Sequence, residues 1–297
     1  MSQRDMFKGL YTAIITPFTA DGAIDEETWK KLIGFQVEAG VKGVVVCGTT
    51  GESPTVTEQE FAFLLRSAKA HAKGRLQIIA GTGSNNTAHV INRSKLAKEY
   101  GADALLLASP YYNKPTQKGL LAHFHAIADA VDLPQILYNV PGRTAVNILP
   151  ATVAQLARHP NIVAVKEACG DINQIMDVIH AVPDGFAVLA GDDAISLPTI
   201  AAGGKGVISV ISNEAPGLMN AMITNALNGD FEQARKQFYQ LLPLMKANFW
   251  ESNPMVVKAA LHYMGIIENV IRLPLIPMDD VYETRLKAIL RSLELIR

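Results

Sequence analysis

Read from its N-terminus, the chain alternates short β-branched apolar runs with longer stretches in which apolar residues recur every three or four positions. The short runs are Thr12–Phe18, Val41–Thr49, Gln77–Thr82, Ala104–Pro110, Gln135–Pro141, Ile162–Ala168, Ala187–Asp193 and Gly206–Ser212. Most are nearly continuous in apolar character, as strands buried on both faces are. Their starts lie roughly 20 to 35 residues apart, room for a strand, a helix and two short loops.

The intervening stretches predict helices over Trp29–Ala39, Phe61–Ala72, Asn86–Tyr100, Lys118–Val131 and Pro150–Arg158. The acidic stretch Asp25–Thr28 opens the first and Gly40 closes it, Thr57 and Glu60 have capping-box spacing before the second, and Gly101 ends the third. Eight β-α units predict an α/β fold, a closed (β/α)8 TIM barrel over residues 1–229, with an open sheet of the same strands as the alternative. Beyond residue 229 the strand pattern stops. Phe231–Phe249, Pro254–Met264 and Asp280–Ile296 predict three helices, a C-terminal helical region over 230–297 packed on the barrel.

Composition narrows the class. Of 297 residues, 49% are hydrophobic and 19% charged, enough for a large core and too apolar for a disordered chain. Lys plus Arg number 27 against 28 Asp plus Glu, and no basic run appears, so a nucleic-acid partner is not expected. No apolar stretch approaches the roughly 18 residues of a membrane span. Met1–Lys8 is polar where a signal peptide would turn apolar, and Cys47 and Cys169 form no CxxC pair or disulfide framework. These features predict a soluble, cytoplasmic protein.

Barrel active sites lie at the C-terminal ends of the strands. Lys166 is the anomaly there. In Ile162–Ala168, period-2 geometry groups Ile162, Ala164 and Lys166 on one face and turns Val163 and Val165 toward the helices. An inward lysine is costly as an ammonium, and desolvation favours its neutral, nucleophilic form. Pattern alone leaves open whether Lys166 is that nucleophile or a structural lysine paired with a carboxylate. Tyr138 shares a face with Ile136 and Val140 on the preceding strand, about 4.8 Å away, so phenol and amine can be neighbours and the phenol a proton shuttle. It fits equally a barrel-filling tyrosine.

Thr49 and Thr50, before Gly51, offer hydroxyls and N–H groups to a small carboxylate, and Arg143 offers a bidentate grip on another. Metal and redox motifs (HExxH, CxxC) are missing, and His123 and His125, two apart on a helix, face different ways. Asp192 and Asp193 suit a metal less well than a capping role. Gly203–Gly206, before the last strand, keeps a phosphorylated substrate or pyridoxal phosphate on Lys166 as a minority reading.

Gly48–Glu52, Ser109–Pro115, Tyr138–Thr144 and Val165–Ala168, in this order and at these spacings, resemble the dihydrodipicolinate synthase family of the pyruvate-dependent Schiff-base lyases, and the similarity runs nearly end to end. The resemblance implies condensation of pyruvate with L-aspartate 4-semialdehyde to give 4-hydroxy-tetrahydrodipicolinate, in diaminopimelate and lysine biosynthesis. It implies Lys166 as the Schiff-base residue and Tyr138 as proton donor and acceptor. A relay would run through Thr49 and a neighbouring subunit's Tyr112. Thr50 and Ile208 would position pyruvate, Gly191 would line the pocket, and Arg143 would bind the semialdehyde carboxylate. No cofactor or metal is implied, and the expected assembly is a homotetramer, a dimer of dimers. The alternatives are a sibling aldolase of 2-keto-3-deoxy sugar acids or N-acetylneuraminate, and a non-catalytic pyruvate-binding barrel.

One region departs from the family pattern. Lysine-inhibited relatives carry histidine at the place of Glu58 and an acid at the place of His89, beside Ser53, Asn85 and Tyr111. With a base at 89, this possible allosteric site is expected to respond weakly to lysine or not at all.

Overall fold

The computed structural model describes residues 7–297; residues 1–6, part of the N-terminal stretch read above, lie outside them. Eight parallel strands close in sequence order: β1 (Gly9–Ala13), β2 (Gly43–Val46), β3 (Gln77–Gly81), β4 (Ala104–Ala108), β5 (Gln135–Asn139), β6 (Ile162–Glu167), β7 (Ala187–Ala190) and β8 (Gly206–Ser209). β8 returns to β1, with Ile208 beside Tyr11. Gly206 makes that closure possible. Its φ is +149°, and a Cβ there would lie 2.0 Å from the Gly9 carbonyl oxygen.

Around the strands run α1 (Glu26–Glu38), α2 (Glu58–Ala72), α3 (Thr87–Glu99), α4 (Gln117–Ala130), the single turn α5 (Pro141–Thr144), α6 (Pro150–Leu156), α7 (Ile172–Ala181), α8 (Ser196–Ala201) and α9 (Pro216–Leu227). The tail adds α10 (Phe231–Ala247), α11 (Met255–Tyr263) and α12 (Glu283–Ser292). The capping box at Thr57 forms as the spacing predicts, its side chain accepting from the Glu60 N–H while Glu60 accepts from the Thr57 N–H. Such a cap is worth about 1 kcal/mol.

The first strand lies earlier than expected. β1 ends at Ala13, whereas the apolar run continues to Phe18. Ile14–Phe18 are buried because they cross the barrel top, where the Ile15 N–H donates to Asn213 Oδ1 and the Thr16 hydroxyl to the Gly51 carbonyl. Burial is shared by strand and loop; the ladder is not.

The barrel interior is a separate cluster that includes Tyr11, Ala13, Val45, Ile79, Leu106, Ile136, Leu189 and Ile208. A thicker layer lies between strands and helices. The expected facing of β6 is corrected at its start. Gln135 pairs with Ile162 but Ile136 pairs with Ala164, an irregularity that inserts one residue. Val163 therefore joins the interior, and Ile162 packs outward. From Ala164 on the alternation resumes, and Lys166 faces in.

The helical tail is fastened to the loop after β2. Lys258 of α11, fully buried, pairs with Glu52 at 2.5 Å and also donates to the Val270 carbonyl at 2.8 Å. Arg272 pairs with Glu60 and donates to the carbonyls of Gly22 and Thr55. Both cations sit 4.2 Å from the Phe18 ring centroid.

Candidate active site

Tyr138 on β5 and Lys166 on β6 are register partners, and Lys166 Nζ lies 4.4 Å from the centre of the Tyr138 ring. Both are buried, at 7% and 5% exposure. No carboxylate stands within ion-pair distance of Lys166 among the described residues. The structural alternative, a lysine neutralised by a neighbouring acid, is therefore not what the fold builds.

The next pair along the strands shows why. Asn139 and Glu167 are also partners, but they face outward. Glu167 takes the Asn139 amide at 2.9 and 3.1 Å and the Cys169 N–H at 2.9 Å. Burial pushes its carboxyl above the ordinary value, opposed by those hydrogen bonds. The nearest acid in sequence is thus turned to the other face of the sheet.

A small cavity surrounds the amine. Its wall includes Thr49, Thr50, Tyr138, Arg143, Lys166 and Gly191, and also Val210, Phe249 and Asn253. Gly191 is required by space: a Cβ there would lie 3.1 Å from Lys166 Cε and 2.7 Å from the Ala168 Cβ. Arg143, exposed on α5, reaches the wall from the rim. Thr49 and Tyr138 share the wall, with no hydrogen bond joining their oxygens among the described residues. Ile208 is fully buried one layer below, in the barrel interior, and Val210 takes the place on the wall.

A wider cleft of about 340 Å³ opens from the same mouth and is shared by Thr49, Tyr138 and Arg143. Ser53, His89 and Tyr111 line its outer half. Glu58 and Asn85 do not. Glu58 is held in an ion pair by Arg93, and the Asn85 carbonyl accepts from Asn113. Arg93, one helical turn beyond His89, also reaches the cleft while stacking on Phe61 at 4.0 Å. Tyr112 stands apart from both walls of its own chain, 89% exposed on a backbone with φ +71°.

Several weaker readings resolve. Gly203–Gly206 lies on the opposite face of the barrel from Lys166. The Lys205 N–H bonds the Val188 carbonyl and its carbonyl the Gly9 N–H, both at strand starts. It cannot cradle a phosphate attached at the mouth. Asp192 caps the turn that follows it, and Asp193 accepts the N–H groups of Val210 and Ile211, so both are structural acceptors. No group of three or more metal-ligating acids, histidines or cysteines occurs among the described residues. Burial pushes both free thiols, Cys47 and Cys169, to about 12, which leaves them protonated at neutral pH.

Asn253, Phe249 and Val210 were not anticipated. Asn253-Pro254 reads as a turn signal in a helical tail, and nothing local ties it to a loop more than 200 residues earlier. Arg93 was findable, since it lies i+4 from His89 on a predicted helix.

Fold and site together define a closed (β/α)8 barrel that presents a buried amine and a phenol at its C-terminal mouth. Residues 6–293 match the Dihydrodipicolinate synthetase family, and the chain belongs to that family. A 4-hydroxy-tetrahydrodipicolinate synthase of Syntrophobacter fumaroxidans is 50% identical over 292 residues, 98% of this chain and 100% of that one. A dihydrodipicolinate synthase crystal structure from Thermotoga maritima superposes with a TM-score of 0.96 at 43% identity, covering 98% of this chain and 100% of that one. That of Acinetobacter baumannii, a chloride-inhibited enzyme solved with pyruvate, gives 0.96 at 42% identity over 97% and 99%.

Proposed function

We propose that this protein condenses pyruvate with L-aspartate 4-semialdehyde through a Schiff base on Lys166, releasing 4-hydroxy-tetrahydrodipicolinate for diaminopimelate and lysine biosynthesis. The observation that carries the reading is the buried Lys166 amine, free of any carboxylate, over the Tyr138 ring at the mouth of the barrel.

The neutral amine adds to the pyruvate ketone carbon, and the carbinolamine loses water to give an iminium. Tyr138 supplies the proton that leaves with the water oxygen. The iminium is an electron sink, so a methyl proton can pass to the Tyr138 phenolate and leave an enamine, restoring the phenol. The enamine carbon attacks the semialdehyde aldehyde carbon, making the new C–C bond, and the resulting alkoxide takes a proton from Tyr138. The semialdehyde amine then attacks the iminium carbon, and Lys166 departs as the ring closes. Each proton taken is returned, and the net by-product is water. Thr50 receives the pyruvate carboxylate beside Gly191, with Ile208 packing beneath, and Arg143 at the rim receives the second carboxylate.

Thr49 passes protons between Tyr138 and the partner subunit's Tyr112. The 89% exposure of Tyr112 and its left-handed backbone support a residue built to be used by another chain. The working form is accordingly a homo-oligomer, a tetramer made of two such dimers. Catalysis belongs to residues 1–229, and residues 230–297 serve as the helical region that buttresses the mouth. The two free thiols suit a cytoplasmic site of action. Lysine inhibits weakly or not at all, because the outer cleft beside His89 is lined, among the described residues, by no carboxylate to meet lysine's ammonium groups and Glu58 is already engaged by Arg93. Steady-state assays should show no inhibition at sub-millimolar lysine.

The test is borohydride reduction in the presence of pyruvate, followed by peptide mass mapping. A pyruvate-derived adduct on Lys166 is expected; folded protein without that adduct overturns the reading.

A further inference from the structure

The second threonine of the Gly48–Glu52 stretch is held from a distance. Thr50 is 2% exposed, and its hydroxyl oxygen accepts a hydrogen bond from the Asn253 amide nitrogen at 2.9 Å. Asn253 lies 203 positions later, in the segment joining α10 to α11, and is itself 5% exposed. Both residues line the cavity that contains Lys166.

A hydroxyl has one proton and two acceptor sites. With one acceptor site filled by the Asn253 amide, the Thr50 proton is turned away from Asn253. No group among the described residues accepts it. The remaining direction is the cavity. We propose that Asn253 is a positioning residue: by donating to Thr50, it holds the Thr50 hydroxyl as a donor to the carboxylate of bound pyruvate. This rests on the pyruvate reading of the cavity given above.

The polarity matters. An acceptor at 253 would draw the Thr50 proton to itself and leave an oxygen lone pair facing the carboxylate. It is the Asn253 amide nitrogen that meets Thr50, while its carbonyl oxygen is buried without a partner among the described residues. The helical region thus completes the pyruvate subsite as well as bracing it, and acts through Thr50 rather than on the reacting atoms.

The experiment measures the pyruvate concentration that half-saturates borohydride trapping, in wild type, Asn253→Ala, Thr50→Val and the double variant, with turnover at saturating pyruvate alongside. Each single substitution is expected to raise half-saturation about tenfold, the size of one charge-assisted hydrogen bond, a larger change than in turnover at saturating pyruvate. The double variant should match Thr50→Val within about twofold, because Asn253 has no effect once its hydroxyl is gone. If Asn253→Ala does not fold, Asn253→Asp keeps the shape but has no proton to donate at neutral pH, and should raise half-saturation at least as much. Unchanged half-saturation in the folded variant overturns the proposal, as does a double variant worse than Thr50→Val by the full Asn253 factor. Wild-type protein that forms no adduct would instead sink the proposed function, so the two failures are distinct.

Discussion

Two buried lysines, each beside an aromatic ring, have opposite surroundings. Lys258 lies 4.2 Å from the Phe18 ring centroid, bonded to Glu52 and the Val270 carbonyl. Lys166 lies 4.4 Å from the Tyr138 ring centroid, with no carboxylate within ion-pair distance among the described residues. Burial pulls Lys258 down to about 8, opposed by Glu52. The ring is common to both; the acid is not. A lysine that holds the fold has its charge answered, whereas Lys166 has no acid within ion-pair distance, as its proposed addition to a carbonyl requires.

Three measurements would break or sharpen that contrast. Lys166→Ala should lower turnover by at least ~10³-fold, since no other amine can form the covalent intermediate. Urea unfolding of Lys166→Met should show stability equal to wild type or higher. A large loss there would make Lys166 a structural residue after all. Lys258→Met should do the reverse, costing about 3–5 kcal/mol of stability by leaving Glu52 buried and uncompensated. Partial recovery in Lys258→Met with Glu52→Leu would locate the cost in that unpaired charge.

The smallest effect comes from a third buried base. His123 is 6% exposed, bonded through Nδ1 to the Thr87 hydroxyl, and burial lowers it from 6.5 to about 4. Between those values the unfolded chain binds a proton that the folded chain does not. Its contribution is therefore fully present above pH 6.5 and lost as pH falls toward 4. Urea titrations at pH 7 and pH 5 should show wild type losing about 1–2 kcal/mol more than His123→Gln over that interval. Equal losses would mean that His123 titrates normally.

Much of this was legible in the sequence, for identifiable reasons. Strands buried on both faces give nearly unbroken apolar runs, and eight of them with helical spacing between point to a barrel. Tyr138 and Lys166 could be brought together by period 2 alone, because the alternation is regular from Ala164 onward. It failed where backbone geometry breaks the period. The inserted residue at the start of β6 exchanged the faces of Ile162 and Val163, and the buried crossing of Ile14–Phe18 passed for strand. The glycines of Gly203–Gly206 kept a phosphate site open as a minority reading, but a loop entering a strand lies at the foot of the barrel. Asn253 left no local trace, since a hydrogen bond to a loop 203 residues away has no sequence period.

The loop Gly48–Glu52 has a consequence in time as well as in space. Glu52 holds a left-handed backbone, φ +53°, and its carboxylate is answered by Lys258 and the Arg272 N–H. Thr50 waits similarly on Asn253. During synthesis from the N-terminus these partners leave the ribosome long after the loop does. The contacts that tie down this loop therefore form only once the chain has emerged past Arg272, so the mouth of the barrel depends on the last part of the molecule to be made.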